Sequence, residues 1–290
     1  MPTSVEELVD LLDLETIDAN LYRGRQPITF FQRVFGGQVA GQAMVAAERT
    51  ALEGMTMHSL HSYFLRPGDP NVPIVYDVER IRDGSSFATR RVEARQHGRP
   101  IYYLTASFQI EEEGLEHQDA MPEVPSPEEC PANLDLLRKR APEKYVKVLE
   151  QEWSVLDMRA AGDSRPGGLL DGDPHHPARQ RFWIRVDGRL PDGPMIHKAA
   201  LTYLTDVTLL GSALVTHGVN FAEPRMQAAS LDHTIWFHRP FRADEWLLYD
   251  QVSPSASQAR GLAIGRLFTQ DGRLIASTAQ EGLIRLHPEA

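Results

Sequence analysis

The sequence predicts an α+β protein made of two tandem modules, each an antiparallel sheet wrapped around a central helix. Three observations predict it. First, the chain repeats itself: Ser59-Leu60-His61-Ser62-Tyr63-Phe64-Leu65-Arg66-Pro67 opens an apolar, alternating stretch, and Ser230-Leu231-Asp232-His233-Thr234-Ile235-Trp236-Phe237-His238-Arg239-Pro240 opens another. From each Arg-Pro the next Tyr-Asp lies 9 residues on, at Tyr76 and Tyr249, and Gly98-Arg99-x-Ile101 matches Gly272-Arg273-x-Ile275. The offset between copies is thus 173 at the prolines (240 − 67) and 174 at the glycines (272 − 98). A repeat of this length reads as one structural module per copy. Second, each half places a helix before a run of strands, as a sheet folded over a helix requires. Third, Asp83-Gly84 and Asp271-Gly272 fall at strand junctions, and Asp-Gly is a favoured hairpin dipeptide.

Taken in order, residues 5–18 set Val5, Leu8, Val9, Leu11 and Leu12 at helical spacing, with Ser4 as cap and Glu7 three residues on. Gly36 to Ala47 is a second helix with small residues on nearly every face, so it packs tightly all round. Strands follow near 58–65, 72–82, 86–96 and 100–111, with His97-Gly98 at one junction. Residues 112–180 break the pattern. Pro122, Pro125, Pro127 and Pro131 precede one helix over 133–151, and a Gly/Asp/Pro stretch at 167–174 closes the segment. A strand over 182–186 starts the second copy. The helix from Ile196 to Ala213 is apolar on nearly all sides and belongs in a core. Strands near 230–238, 245–253, 260–269 and 273–285 complete it. The predicted organisation is a first module over 1–115, a linker with one helix over 116–178, and a second module over 179–290.

Composition narrows the function classes. Hydrophobic content of 42% and charged content of 24% over 290 residues fit a globular chain with a real core. A net charge of −10 argues against a general nucleic-acid surface, which needs a basic face. The lone Cys130 excludes an intramolecular disulfide and sits among acidic residues, so it reads as inert. No leader or peroxisomal address is visible and no apolar run approaches membrane-spanning length, so the expected location is the cytoplasm. His175 and His176 lie in the Gly/Pro stretch and read as a solvated loop rather than a metal site.

The common catalytic signatures are absent, including Gly-x-Ser-x-Gly, the phosphate-cradling Gly-x4-Gly-Lys and His-Glu-x-x-His. Asp206 stands out instead, a carboxylate among residues expected to be buried. Such a group needs donors, and it marks either a structural network or a reactive site. Comparison of the copies favours the second reading. The first module has no Asp or Glu from Leu21 to Ala47. Ser230 maps to Met57 (230 − 173) and Gln280 to Ala106 (280 − 174). Carboxylate, hydroxyl and amide are present in one copy and missing from the other.

Val34-Phe35-Gly36-Gly37-Gln38, His61-Ser62-Tyr63-Phe64-Leu65-Arg66-Pro67-Gly68-Asp69, Trp236-Phe237-His238-Arg239-Pro240 and Ala279-Gln280-Glu281-Gly282 resemble the acyl-CoA thioesterase II family over essentially the whole chain. The resemblance implies a double hotdog fold and hydrolysis of acyl-CoA by a water-activating trio of Asp, Thr or Ser, and Gln. By motif position these are Asp206, Ser230 and Gln280. Ser230 stands where some members carry Thr, and the hydroxyl is retained. The implied roles are proton acceptor for Asp206 and water-fixing hydrogen bonds from Ser230 and Gln280, with backbone N–H groups near a helix start as oxyanion donors. No cofactor is implied beyond the coenzyme A of the substrate, no membrane insertion, and a homodimer of double modules is expected by fold analogy.

His58, at a strand start, reads as structural rather than as a base, and Arg90, Arg91 and Arg260 are candidate phosphate contacts for which solvated arginines are the competing reading. Two further functions stand beside hydrolysis. A hotdog enoyl-CoA hydratase would need Asp-x-x-x-x-His, whereas no His follows Asp206 before His217. A non-catalytic acyl-CoA-binding protein would not need all three polar residues in one copy.

Overall fold

The computed structural model describes residues 1–172 and 177–288. His175 and His176 lie outside the described residues. The elements run α1 (Val5–Leu12), β1 (Glu15–Asp18), β2 (Leu21–Gly24), α2 (Gly36–Glu48), β3 (Met55–Phe64), β4 (Ile74–Asp83), β5 (Phe87–Gln96) and β6 (Arg99–Ile110) in the first half. Then come α3 (Asn133–Leu137), α4 (Glu143–Glu152), β7 (Leu156–Asp163), β8 (Arg179–Val186), α5 (Pro194–Thr205) and a 3-10 segment (Leu209–His217). The chain ends with β9 (Met226–Ser230), β10 (Asp232–Phe237), β11 (Leu247–Ser257), β12 (Arg260–Thr269) and β13 (Leu274–Leu286).

These strands form one antiparallel sheet in the order β1-β2-β4-β5-β6-β3-β10-β13-β12-β11-β8-β7, with β9 added beside β13. The order reads the same from either end once each strand is replaced by its repeat counterpart. The two half-sheets meet where β3 pairs β10, with His61 opposite Thr234, and 61 + 173 = 234. Ser59 faces Trp236 and Tyr63 faces Asp232, so each pair is the image of the other under the same offset. On the next strands Thr234 faces Ala279 as His61 faces Thr105, which reproduces the offset of 174. The repeat seen in sequence is therefore a local two-fold axis through the β3–β10 seam.

Helices α2 and α5 lie side by side inside the sheet, with α2 against β3, β4, β5 and β6. Glycine permits the contact: a Cβ on Gly37 would meet the Tyr203 carbonyl oxygen at 2.2 Å, and one on Gly41 would meet Leu12 at 2.9 Å. The core is continuous across both modules, from Leu60 and Leu104 to Leu204 and Ile235, all fully buried. Each such side chain contributes about 1.5–3 kcal/mol by leaving water. A smaller cluster of Cys130, Ala161, Trp183, Leu248 and Phe268 lies apart from it, joined by Met121 and Val124 of the linker. The Trp183 indole donates to the Pro125 carbonyl at 2.9 Å. Cys130 is buried there, and desolvation raises its thiol, with Glu129 adding to the effect.

Several expectations from the sequence need correction. The first helix ends at Leu12, capped by Ser4, whose Oγ accepts from Glu7 N, and β1 begins at Glu15. The helix expected over 133–151 is divided into α3 and α4, because Pro142 supplies no N–H to a continuous helix. Strands β1, β2 and β7 carried no clear alternation and were not foreseen. The helix expected from Ile196 to Ala213 stops at Thr205 and resumes as the tighter 3-10 segment. Finally, Pro194–His217 is apolar and long enough to cross a membrane by length and composition, contrary to the reading that no run approaches that length. Some 78% of its most apolar window is buried inside the protein, so it serves as core.

Candidate active site

Helix α5 opens with Pro194 at its first position and closes where Thr205, Val207 and Thr208 gather β-branched side chains that fit poorly in a helix. The last turn tightens, with Val207 N donating to Leu204 O at 3.2 Å. Asp206 is the C-cap, so it stands at the helix end rather than mid-helix, and its side chain is free to leave the helix surface.

Ser230 closes β9 opposite Gly282, and Gln280 lies two residues back along β13, so both face inward. The three polar side chains meet. Ser230 Oγ donates to Asp206 Oδ1 at 3.0 Å, and Gln280 Nε2 reaches the same oxygen at 2.5 Å. Gln280 Nε2 also lies 2.9 Å from Ser230 Oγ. Gln280 is fully buried, and its carbonyl oxygen has no partner among the described residues.

The other side of Asp206 is built by the first module. Its carboxylate accepts from the Gly37 N–H in the first turn of α2. A Cβ on Gly36 would lie 2.6 Å from Asp206 Oδ2 and 2.9 Å from the Phe64 ring, so glycine leaves open the space in front of that oxygen. Neither module holds the site alone. The first-turn N–H groups of α2 have no intrahelical partner, as at any helix start, receive no side-chain cap from Phe35, and carry partial positive charge.

Asp206 keeps a little solvent-accessible surface, yet protein surrounds its carboxyl group closely. Desolvation pushes it up to about 6, and the donors Gln280, Ser230 and Gly37 oppose that shift. The hydrogen bonds hold the carboxylate without making it strongly acidic.

The local two-fold axis assigns Asp206 a counterpart. Helices α2 and α5 start from caps of identical backbone geometry, Phe35 and Gly193, both at φ −67 and ψ 134. Counting from them pairs Asp206 with Glu48 (206 − 158 = 48). The carboxylate-free range Leu21 to Ala47 thus stops one residue short. Glu48 accepts from the Met57 N–H, where the second module has Ser230, and faces Lys198, which donates to Met57 O at 2.7 Å. Burial raises Glu48 and lowers Lys198, each resisted by the other's charge.

The remaining candidates lie elsewhere. His58 sits at the bulge after Met57, with Nε2 2.8 Å from Ser107 Oγ and its ring edge-on to Phe87. Burial holds it below its usual value, with Lys198 and then His61 adding to that, so it belongs to the Glu48 corner. Arg90 is fully buried and occupied by Thr50 O and Oγ1, Arg82 O, Thr89 O and Asp83, so it is no phosphate ligand. Arg91 is exposed and paired with Glu79 at 2.5 Å, and Arg260 pairs with Glu281 at 3.0 Å.

Sequence reasoning missed a second polar layer behind Asp206. Thr205 Oγ1 lies 3.0 Å from His233 Nε2, and Tyr249 Oη lies 2.9 Å from Thr278 Oγ1 and 3.3 Å from Thr205 O. The copy comparison carried the signal, since His233 maps to Leu60 (233 − 173) and Thr278 to Leu104 (278 − 174).

A sheet of two related halves closed over paired helices, with a desolvated carboxylate at their junction, defines a tandem hotdog protein. Comparison with known proteins makes this specific. The family described as acyl-CoA thioesterase matches residues 163–283, and that described as the acyl-CoA thioesterase N-terminal domain matches residues 25–109. Acyl-coenzyme A thioesterase 8 of Homo sapiens is 42% identical, covering 96% of this chain and 89% of its own. The crystal structure of an acyl-CoA thioesterase II from Mycobacterium marinum superposes with a TM-score of 0.83 at 46% identity, covering 97% of this chain and 98% of that one. A hot dog fold protein from Alicyclobacillus acidocaldarius shares the fold at 23% identity, with a TM-score of 0.76, covering 97% of this chain and 98% of that one. The chain belongs to the acyl-CoA thioesterase family.

Proposed function

We propose that this chain hydrolyses acyl-CoA to the free acid and coenzyme A by direct attack of water, with Asp206 as the base. The observation that carries the proposal is the asymmetry of that carboxyl group. Oδ1 accepts from both Ser230 and Gln280, while Oδ2 looks into the space that a side chain at Gly36 would fill. A water there lies against a proton acceptor on one side and the start of α2 on the other.

In the proposed step Oδ2 takes a proton as the water oxygen bonds to the thioester carbonyl carbon. The carbonyl electrons move onto oxygen, where the positive end of α2 stabilises them through a first-turn N–H other than that of Gly37, which Asp206 holds. Collapse of this intermediate breaks the C–S bond, and protonated Asp206 returns its proton to the departing sulfur. Ser230 and Gln280 fix the carboxylate, and the unpartnered Gln280 carbonyl is an acceptor for the water's second O–H. The first module thus supplies the oxyanion donor and the second supplies the base. The scheme draws on no cofactor besides the coenzyme A of the substrate. We place the reaction in the cytoplasm on the lone buried cysteine, and expect a dimer of such chains, which the mass in solution tests.

A free-thiol assay over a panel of acyl-CoAs tests the function. Wild type is expected to release coenzyme A, and Asp206→Asn to lose about a hundredfold in kcat while folding normally. Hydration without thiol release, or binding without turnover, would overturn the proposal.

A further inference from the structure

The layer behind Asp206 is polar where the same layer of the first module is apolar. Thr205, His233 and Thr278 are fully buried in the second module or nearly so. Their counterparts Ala47 (205 − 158), Leu60 and Leu104 are fully buried as well. Tyr249 is kept as Tyr76, but the Tyr76 hydroxyl turns to Gln42 on α2 at 2.7 Å, in place of a helix end. The fold therefore has an apolar solution for these positions and uses it once. Burying hydroxyls and an imidazole in the other copy costs stability unless they make hydrogen bonds, and even then an apolar layer does as well.

Those bonds converge on one peptide unit. Tyr249 Oη donates to the Thr205 carbonyl, which begins the peptide bond to Asp206. Thr205 Oγ1 reaches Thr202 O at 3.2 Å and His233 Nε2 at 3.0 Å. With the hydroxyl proton committed to Thr202 O, His233 is the Nε2–H tautomer and donates to Thr205. That leaves at Nδ1 a bare lone pair rather than an unpaired N–H, the less costly orphan. The His233 carbonyl in turn accepts from Ser62 Oγ of the first module at 2.7 Å, tying the layer to the β3–β10 seam. Burial pushes His233 down to about 4, so it is neutral and cannot exchange protons with Asp206 near pH 7.

We propose that Thr205, His233 and Tyr249 are positioning residues that lock the end of α5 and aim the Asp206 carboxyl group at the water. This rests on Asp206 being the base. It differs from a merely structural role, because these bonds act on the peptide that carries Asp206 and so should move kcat apart from KM.

The test is steady-state kinetics on the full chain, with thermal melting alongside. Thr205→Val, close in shape to threonine, is expected to lower kcat about tenfold with KM within twofold, and to lower the melting temperature because the buried His233 Nε2–H loses its acceptor. Thr205→Ser, which retains the hydroxyl, is expected to restore at least half the lost kcat. His233→Leu should behave like Thr205→Val, and His233→Gln, which can still donate near the Nε2 position, should recover part of the rate. Thr205→Val with wild-type kcat, or a kcat loss equal in the Val and Ser variants, would overturn the inference. Asp206→Asn separates the two readings: if it is inactive while Thr205→Val is fully active, only the positioning role fails, and if it is active the base assignment itself fails.

Discussion

The two ends of the paired helices make a controlled comparison. At one end Asp206 caps α5 beneath β9 and β13, and at the other Glu48 closes α2 beneath β3. Both are carboxylates in protein surroundings, and desolvation raises both. Their partners differ. Asp206 is held by the neutral donors Ser230, Gln280 and Gly37, whereas Glu48 faces the Lys198 ammonium. A full positive charge nearby lowers a carboxylate's proton affinity, while neutral donors orient it and leave it basic. On the proposed mechanism, the difference lies in the neutral shell around the carboxylate rather than in its burial.

The comparison breaks first at its strongest point. Asp206→Asn should cost about a hundredfold in kcat, whereas Glu48→Gln should leave kcat within twofold, both measured by thiol release. An equal loss in the two variants would erase the distinction between the corners. Next come the donors. Gln280→Ala and Ser230→Ala, the former matching Ala106 of the first module, should each lower kcat about tenfold, since a hydrogen bond to a charged group contributes about 1.5–3 kcal/mol. Unchanged rates would mean that the neutral shell is incidental.

The acid dependence sharpens the contrast further. Asp206 must be ionised to accept a proton, so kcat/KM should fall as pH drops through about 6 and level off above it. The same shift has a consequence for folding. A carboxyl group whose folded value lies above its unfolded one favours the folded state when protonated, and that contribution is lost as pH rises from about 4 through about 6. Asp206→Asn should therefore melt higher than wild type at pH 8, with the gap narrowing towards pH 4. Melting curves at the two values check it, and a gap that widens towards acid would contradict the assignment of desolvation as the cause.

The sequence was informative where periodicity and repetition act locally. Equal spacing from Pro67 to Tyr76 and from Pro240 to Tyr249 identified two copies, and the register of β3 on β10 has the same offset. It was less informative where one short element leans on another. Strands β1 and β2 have little alternation of their own and are held by pairing with β4. The break at Asp206 was invisible because an apolar run reads as one helix until its end is pulled elsewhere.

The sequence by itself determined the two-module plan and the three polar residues that one copy has and the other lacks. Those depend on patterns along the chain, which packing preserves. The pairing of β3 with β6 rather than with its chain neighbour β4 came from the tertiary structure. Only the tertiary structure decided that Gly36 and Gly37 of the first module face Asp206 of the second, that Arg90 is consumed in the core, and that Glu48 is the positional counterpart of Asp206. Arg90 ties the end of α2 to the β4–β5 hairpin, and the Gly36, Gly37 and Glu48 contacts cross between modules. Such contacts depend on how helices of opposite direction slide together, and no spacing along a single chain encodes that.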